Sequence, residues 1–188
     1  MKSKGRLIVL SGPSGVGKGT VVKRLLSECE DVSLSVSATT RKPRYEDTEG
    51  VTYFFKTENE FKDMIENNMF LEWAVYNGNY YGTPIDAVNK KLSDGVSVIL
   101  EIEVQGALDV MKKCPEALSI FIVPPSLQAL KDRLKERASE SDEEIEHRVN
   151  EAVRELKEKD KYKYIVVNDV LDDTVNKIKE IIERKDEK

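Results

Sequence analysis

The nine residues Gly12-Pro13-Ser14-Gly15-Val16-Gly17-Lys18-Gly19-Thr20 follow the apolar run Leu7-Ile8-Val9-Leu10 and precede a helix-like stretch at 21–29. Buried strand, glycine-rich turn and helix start, in that order, make a phosphate-binding loop, or P-loop. Small residues let backbone N–H groups turn inward around polyphosphate oxygens, and the positive end of the helix dipole adds to their pull. Lys18 then reaches the β- and γ-phosphates as a point charge on a flexible stem. A tight strand-to-helix turn alone would use the glycines but would not need the lysine. Gly19 stands where a serine or threonine usually follows the lysine, so the nearest hydroxyl belongs to Thr20. Two roles stay open for Thr20: a ligand of Mg²⁺, or a contact to phosphate alone.

A chain of 188 residues is long enough to bury a core in one domain with small inserted parts. Hydrophobic residues at 39% and charged residues at 35% describe a folded chain with a heavily charged surface. A net charge of −5 implies no basic face, so nucleic acid is not an expected partner. Cys29 and Cys114 have neither the number nor the spacing for a disulfide framework or a structural zinc site, and they point to a reducing compartment. Met1-Lys2-Ser3-Lys4-Gly5 runs straight into the first strand, and no apolar run reaches membrane-spanning length. A cytoplasmic location without membrane contact is the expectation.

Short apolar strands at 6–10, 34–37, 96–102, 118–123 and 164–167 alternate with helical patterns at 19–29, 84–93, 105–113, 126–137, 142–160 and 171–184. The first, third and fourth strands are nearly continuous apolar runs, as parallel strands covered on both faces require. The alternation predicts an α/β fold of three layers around a central parallel sheet. Two regions break the rhythm. Residues 39–83 are rich in aromatics and glycine and predict short antiparallel strands at 53–56, 70–76 and 79–81 around a helix at 58–67, hence an inserted subdomain. Residues 137–144 are polar, lie between two charged helices and predict a mobile flap. Insertions at the C-terminal edge of a parallel sheet are where substrates are expected.

The segment Ser35-Val36-Ser37-Ala38-Thr39-Thr40-Arg41-Lys42-Pro43-Arg44 resembles the start of the monophosphate-binding region of guanylate kinases. The blocks Gly50-Val51-Thr52-Tyr53-Phe54-Phe55, Phe70-Leu71-Glu72-Trp73-Ala74 and Gly78-Asn79-Tyr80-Tyr81-Gly82-Thr83 follow in that family's order. So do Leu100-Glu101-Ile102-Glu103-Val104-Gln105-Gly106, Pro124-Pro125-Ser126 and Val167-Asn168-Asp169. The resemblance spans essentially the whole chain, and the joint occurrence of these blocks is specific. It implies a core at 1–33, 84–136 and 150–188, a GMP-binding region at 34–83 and a small lid at 137–149. It also implies direct phosphoryl transfer from ATP to GMP, with Mg²⁺ carried on the ATP. Nothing in it bears on oligomeric state. Related nucleoside monophosphate kinases accommodate the Gly-Lys-Gly-Thr ending.

Gly12, Pro13, Ser14, Gly15, Val16, Gly17, Lys18, Gly19 and Thr20 are the expected ATP-binding residues, and by resemblance Asn168 lines the adenine site. Arg41 and Arg44, three apart with the stiffening Pro43 between them, offer two planar guanidinium forks to one terminal phosphate. By resemblance the hydroxyls of Tyr53 and Tyr81 join them. Base selection falls, again by resemblance, to Glu72, Thr83 and Ser37. Guanine presents N1–H and an N2 amino group to a carboxylate, and its O6 accepts from a hydroxyl. Adenine lacks both donors and would leave the carboxylate unpaired, a costly outcome in a buried site. Glu101 and Glu103 close an apolar strand and share a face if the strand extends that far. The resemblance sets Glu103 near GMP and Glu101 near the metal's water shell. Metal contact therefore falls to Thr20 or Glu101, mainly through phosphates and water. Arg133 and Arg137 lie four apart on one helix face, with Arg148 on the next helix. They match arginines that close over nucleotide phosphates in this family. Lys18, Arg41, Arg133, Arg137 and Arg148 would then be catalytic as electrostatic clamps, because a loose phosphoryl-transfer transition state needs positioning and charge rather than covalent help. No general base is required, since the attacking phosphate oxygen of GMP is already charged.

Two other readings use the same residues differently. A kinase acting on a sugar phosphate would keep the P-loop but would not need Glu72 and Thr83. A guanylate-kinase-like binding module typically loses the P-loop, whereas Lys18 is present. The chain departs from the family pattern at Glu46 and Ala138, where relatives place glycine, and both changes narrow the accessible φ range. His147 and the Glu/Lys tract at 151–163 read as solvated surface, and Cys114 as structural.

Overall fold

The computed structural model describes residues 4–136 and 142–184, without the side chains of Glu136 and Asp142. Its central sheet is built from β1 (Leu7–Ser11), β2 (Val32–Leu34), β7 (Ser97–Glu101), β8 (Leu118–Val123) and β9 (Tyr164–Val167). The order is β2-β7-β1-β8-β9, and every neighbouring pair is parallel. Parallel neighbours need a crossover, and right-handed helical crossovers cover both faces. One face carries α1 (Lys18–Glu28) and α7 (Leu171–Glu183), and the other carries α3 (Ile85–Ser93) and α4 (Val104–Lys113). Strand alternation sorts the core between them. Ile8 and Leu10 pack with Val21, Val22, Leu25 and Ile178 on the first face. Leu7 and Val9 pack with Val88, Leu92, Ala107 and Val110 on the second. All five residues of β1 are buried, which is why its sequence shows no polar alternation.

A second sheet, in the order β4-β3-β6-β5, comprises β3 (Ala38–Thr39), β4 (Phe54–Phe55), β5 (Phe70–Tyr76) and β6 (Asn79–Pro84). It is covered by α2 (Glu58–Glu66), which starts in a capping box: Thr57 Oγ1 accepts from the Glu60 N–H, and the Glu60 carboxylate accepts from the Thr57 N–H. Phe61 of α2 stacks on Phe70 with ring centroids 4.4 Å apart and closes a small core with Ala38. α5 (Leu127–Glu136) and α6 (Asp142–Leu156) pack through Leu130, Leu134, Ile145 and Ala152. Of the expected flap, residues 137–141 lie outside the described residues, and 142–144 open α6. Among the described residues no helix is long and apolar enough to cross a membrane.

The differences from expectation have identifiable causes. The expected strand at 34–37 is displaced to Val32–Leu34, because Val32 is the buried residue and pairs with Ser97 of β7. After Leu34 the chain leaves the central sheet, and Ala38 already pairs with Phe54 and Gly82 in the second one. The strand expected antiparallel at 53–56 becomes β4, and it runs parallel to β3. The helix expected to reach 160 stops at Leu156 and is followed by a single 3₁₀ turn at Lys159–Lys161.

Candidate active site

β1 delivers the chain to the loop at Ser11, and glycine shapes the loop where it leaves the strand and where it enters the helix. Gly12 lies at φ 152, where a Cβ would sit 2.3 Å from the Ile122 carbonyl oxygen of β8. Gly17, in the left-handed region at φ 94, caps α1, and a Cβ there would meet Asn168 Nδ2 at 2.8 Å. Lys18 opens α1, and its ammonium donates to the carbonyls of Gly12 at 2.6 Å and Pro13 at 3.1 Å. Burial lowers the Lys18 pKa, while the carboxylates of Glu155, Glu101 and Glu103 oppose that shift.

Asn168, buried beyond the end of β9, ties this loop to the fold. Its Nδ2 donates to the Val16 carbonyl at 2.7 Å, and its Oδ1 accepts from Thr174 Oγ1 at 3.1 Å. Arg133 of α5 donates to the Asn168 carbonyl at 2.9 Å and to the Val16 carbonyl at 3.4 Å. Arg148 of α6 donates to Ser14 Oγ at 2.8 Å. Gly15, Gly17, Thr20, Arg133 and Asn168 line a cleft of about 440 Å³. Arg137 lies outside the described residues.

A second cleft, of about 370 Å³, opens between the two sheets and is lined by Ser37, Glu72, Tyr81, Glu101, Glu103 and Gly106 among others. Thr83 Oγ1 donates to Glu72 Oε1 at 2.6 Å. Burial pushes the Glu72 carboxyl above the usual carboxylate range, against the Thr83 donation and the charge of Lys113. Gly106 of α4 lies against Glu72, whose Oε2 would be in ordinary contact, at 3.5 Å, with a Cβ at that position. Lys113, at the end of α4, donates to the carbonyls of Leu71 at 2.7 Å and Phe70 at 3.2 Å, and so clasps β5 to the core.

Arg41 and Arg44 lie on the loop after β3. The Arg41 guanidinium sits 5.2 Å from the Tyr53 ring centroid, and Tyr53 meets Tyr81 edge-on with centroids 6.0 Å apart. These three residues are thereby brought into one cluster, while Arg44 is exposed beside it.

Glu101 ends β7, and its carboxyl is raised by burial and lowered by Lys18. Its Oε1 would lie 3.5 Å from a Cβ at Gly19, so it reaches the first turn of α1 next to Thr20. Glu103 does not continue the strand. It is the N-cap of α4, so it shares no strand face with Glu101, although both line the second cleft. Among the described residues no group of three His, Cys, Asp or Glu could hold a metal ion by itself.

Three polar residues at the site carry no local sequence signal. Asp47 binds Arg41, Glu155 acts on Lys18 from α6, and Lys113 clasps β5. Each is one charge among many in the 188-residue chain, and Asp47 is brought in by the fold of its own turn, Glu155 and Lys113 by tertiary contact.

The guanylate kinase family model matches residues 4–185. A guanylate kinase of Caldanaerobacter subterraneus is 52% identical over 182 residues, covering 97% of this chain and 88% of that protein. One from Bacillus subtilis is 53% identical over 184 residues, covering 97% of this chain and 90% of that protein. The crystal structure of guanylate kinase from Anaplasma phagocytophilum superposes with a TM-score of 0.73 at 34% identity, covering all of this chain and 89% of that one.

Proposed function

The chain belongs to the guanylate kinase family, and from that premise we propose how its residues carry the ATP-dependent phosphorylation of GMP to GDP. The observation that supports this best is the position of Glu101 and Glu103. They line the cleft that holds Glu72 and also act electrostatically on Lys18 of the P-loop, so the two clefts adjoin at the C-terminal edge of the sheet.

ATP binds with its phosphates in the loop Gly12–Thr20 and its adenosine in the cleft of Arg133 and Asn168. Asn168 acts chiefly as a strut, because both ends of its amide are already engaged with Val16 and Thr174. Lys18 exchanges the Gly12 and Pro13 carbonyls for phosphate oxygens. Arg148 and Arg133, with Arg137, add positive charge from the lid at 137–149 and the helix before it. GMP binds in the region 34–83: its phosphate on Arg41, Arg44, Tyr53 and Tyr81, its base on Glu72, Thr83 and Ser37, with Glu103 beside it. Glu72 accepts from guanine N1–H and N2–H, and Thr83 then turns its hydroxyl to O6. AMP would offer an acceptor to an acceptor, which a buried carboxylate rejects.

Mg²⁺ is the expected metal. A hard ion that keeps several waters and arrives on the phosphates needs few protein ligands, which fits a site drawing on the hydroxyl of Thr20 and on the carboxylate of Glu101, which reaches the neighbouring Gly19. When bound, it neutralises phosphate charge. The protein's own contribution is to align the two phosphates, exclude water and concentrate positive charge on the equatorial oxygens. A chain with two isolated cysteines, Cys29 and Cys114, fits a reducing, cytoplasmic setting.

The test is ADP formation from Mg·ATP with GMP, AMP, CMP, UMP and sugar phosphates offered separately. GMP-selective turnover is expected. Equal turnover with AMP would remove the base-reading role of Glu72 and Thr83, and turnover with a sugar phosphate alone would remove the nucleotide acceptor altogether.

A further inference from the structure

The turn after Arg44 closes on itself around one side chain. The Asp47 N–H donates to the Arg44 carbonyl at 3.1 Å, and Asp47 Oδ2 accepts from the Arg44 N–H at 2.7 Å. The same oxygen accepts from Arg41 Nη2 at 2.8 Å. The Asp47 side chain keeps only 5% of its accessible surface, and that of Arg41 keeps 16%. The other branch of the guanidinium, Nη1, donates to the Lys42 carbonyl at 3.0 Å, and its Cζ lies 5.2 Å from the centroid of the Tyr53 ring. No other carboxylate among the described residues is bonded to Arg41.

We propose that Asp47 is a positioning residue for the phosphate of the acceptor, holding the Arg41 guanidinium and the backbone that carries Arg44 with one carboxylate oxygen. This rests on the reading of Arg41 and Arg44 as the acceptor-phosphate grip.

Two effects of that carboxylate oppose each other. Its negative charge offsets part of the positive charge offered to the phosphate and so weakens the grip. Its hydrogen bonds fix a side chain that would otherwise lose its rotamer freedom on binding, and so strengthen it. The geometry points to the second effect as the larger one. Asp47 and the Lys42 carbonyl each take one of the group's five N–H donors and so orient it, and among the described residues no other hydrogen bond engages the remaining donors. It also fixes the origin of a second arginine, which charge compensation alone would not require.

The experiment compares the affinities of GMP and guanosine by titration calorimetry or competition, because their ratio isolates the phosphate's share of binding. It is run on the full chain and on Asp47→Ala, Asp47→Asn and Asp47→Glu. In Asp47→Ala the ratio is expected to fall by about tenfold or more, the loss associated with a hydrogen bond to a charged group, while guanosine affinity stays within about twofold. KM for GMP should rise by a similar factor with little change in KM for ATP, and Asp47→Glu should recover part of the loss. Asp47→Asn keeps the shape of the turn and one acceptor, so it answers the question if the alanine variant does not fold, and its ratio should fall less steeply. A ratio that is unchanged or higher in the variants, with guanosine still bound, overturns the proposal. A wild-type ratio near one would instead overturn the phosphate grip on which it rests.

Discussion

Thr83 and Glu72 meet across the antiparallel pair β5 and β6, where the Thr83 hydroxyl donates to the Glu72 carboxylate at 2.6 Å. The hydroxyl is fully buried, and the carboxylate lies between it and Gly106 of α4. Two groups set eleven positions apart in the chain thus form one polar unit, of which Glu72 faces a partly apolar cleft and Thr83 lies buried behind it. That unit sets up a conflict between stability and function.

The conflict is measurable in Glu72→Gln. Burial raises the Glu72 pKa in the folded protein above its ordinary value near 4.5. The sign follows from linkage: the contribution of this group to stability is fully present below the unfolded value and is lost as pH rises through the folded one. Glu72→Gln should therefore melt higher than the wild type at neutral pH, and the gap should close as pH falls below about 4.5. The same change should lower kcat/KM for GMP by about a hundredfold or more, since a buried hydrogen-bonding site discriminates strongly when its partner is lost. Melting curves across pH, paired with steady-state kinetics, check both halves. A variant that loses neither GMP efficiency nor selectivity removes Glu72 from base recognition.

Lys18→Met keeps the length and apolar stem of the side chain while removing the charge. The protein should fold, bind GMP as before and lose about 10²–10³ in kcat, the range found when one preorganised stabiliser of transition-state charge is deleted. Single-turnover transfer from Mg·ATP separates this from an effect on product release. Near-normal transfer would exclude Lys18 from the chemistry.

The glycines of the loop are not equivalent. Gly12→Ala would drive a Cβ to 2.3 Å from a backbone oxygen of β8, and neither strand can move away without breaking the sheet. A loss of more than about 3 kcal/mol is expected. In Gly19→Ala the new Cβ would make an ordinary 3.5 Å contact with Glu101 Oε1 in the first turn of α1, so stability should hold or rise by up to about 1 kcal/mol. Urea denaturation of the pair gives the comparison directly. Equal losses in both would mean that the approach of Gly12 to Ile122 does not constrain the loop.

Lys113→Met removes the donor that joins α4 to the Leu71 and Phe70 carbonyls. A cost of about 1 kcal/mol is expected, because the lost bond is charge-assisted but reaches solvent. Since β5 carries Glu72, KM for GMP should rise while KM for ATP stays put. A parallel rise in both would mean that the clasp supports the core as a whole rather than the second sheet.

Much of this was legible in the sequence, for physical reasons particular to each segment. The P-loop is local: strand, glycines, lysine and helix are consecutive, so their chemistry appears in consecutive letters. β1, β7 and β8 are buried on both faces and advertise themselves as apolar runs. Segments whose partners are distant were misjudged. The alternation at 34–37 fits a strand of either sheet, and only the pairing of Val32 with Ser97 and of Ala38 with Gly82 divides it. Nothing local distinguishes β4 parallel to β3 from β4 antiparallel to it. Glu103 fits the end of a strand and the cap of a helix equally well by spacing, and the start of α4 at Val104 decides between them.

The sequence by itself therefore determined the fold class and the strand–glycine–lysine–helix order of the P-loop, because both are written in short-range order, while the residues proposed for guanine follow from the family resemblance of whole blocks. The tertiary structure alone decided how those residues are held. Asp47 on Arg41, Asn168 on Val16, Lys113 on β5 and Glu155 near Lys18 are contacts across chain separations or turns that no periodicity records. The physical reason is that a charged side chain looks alike in sequence whether it is solvated or buried against a partner. The packing of two sheets and their helices, which sets the partner beside it, is what gives it a fixed place.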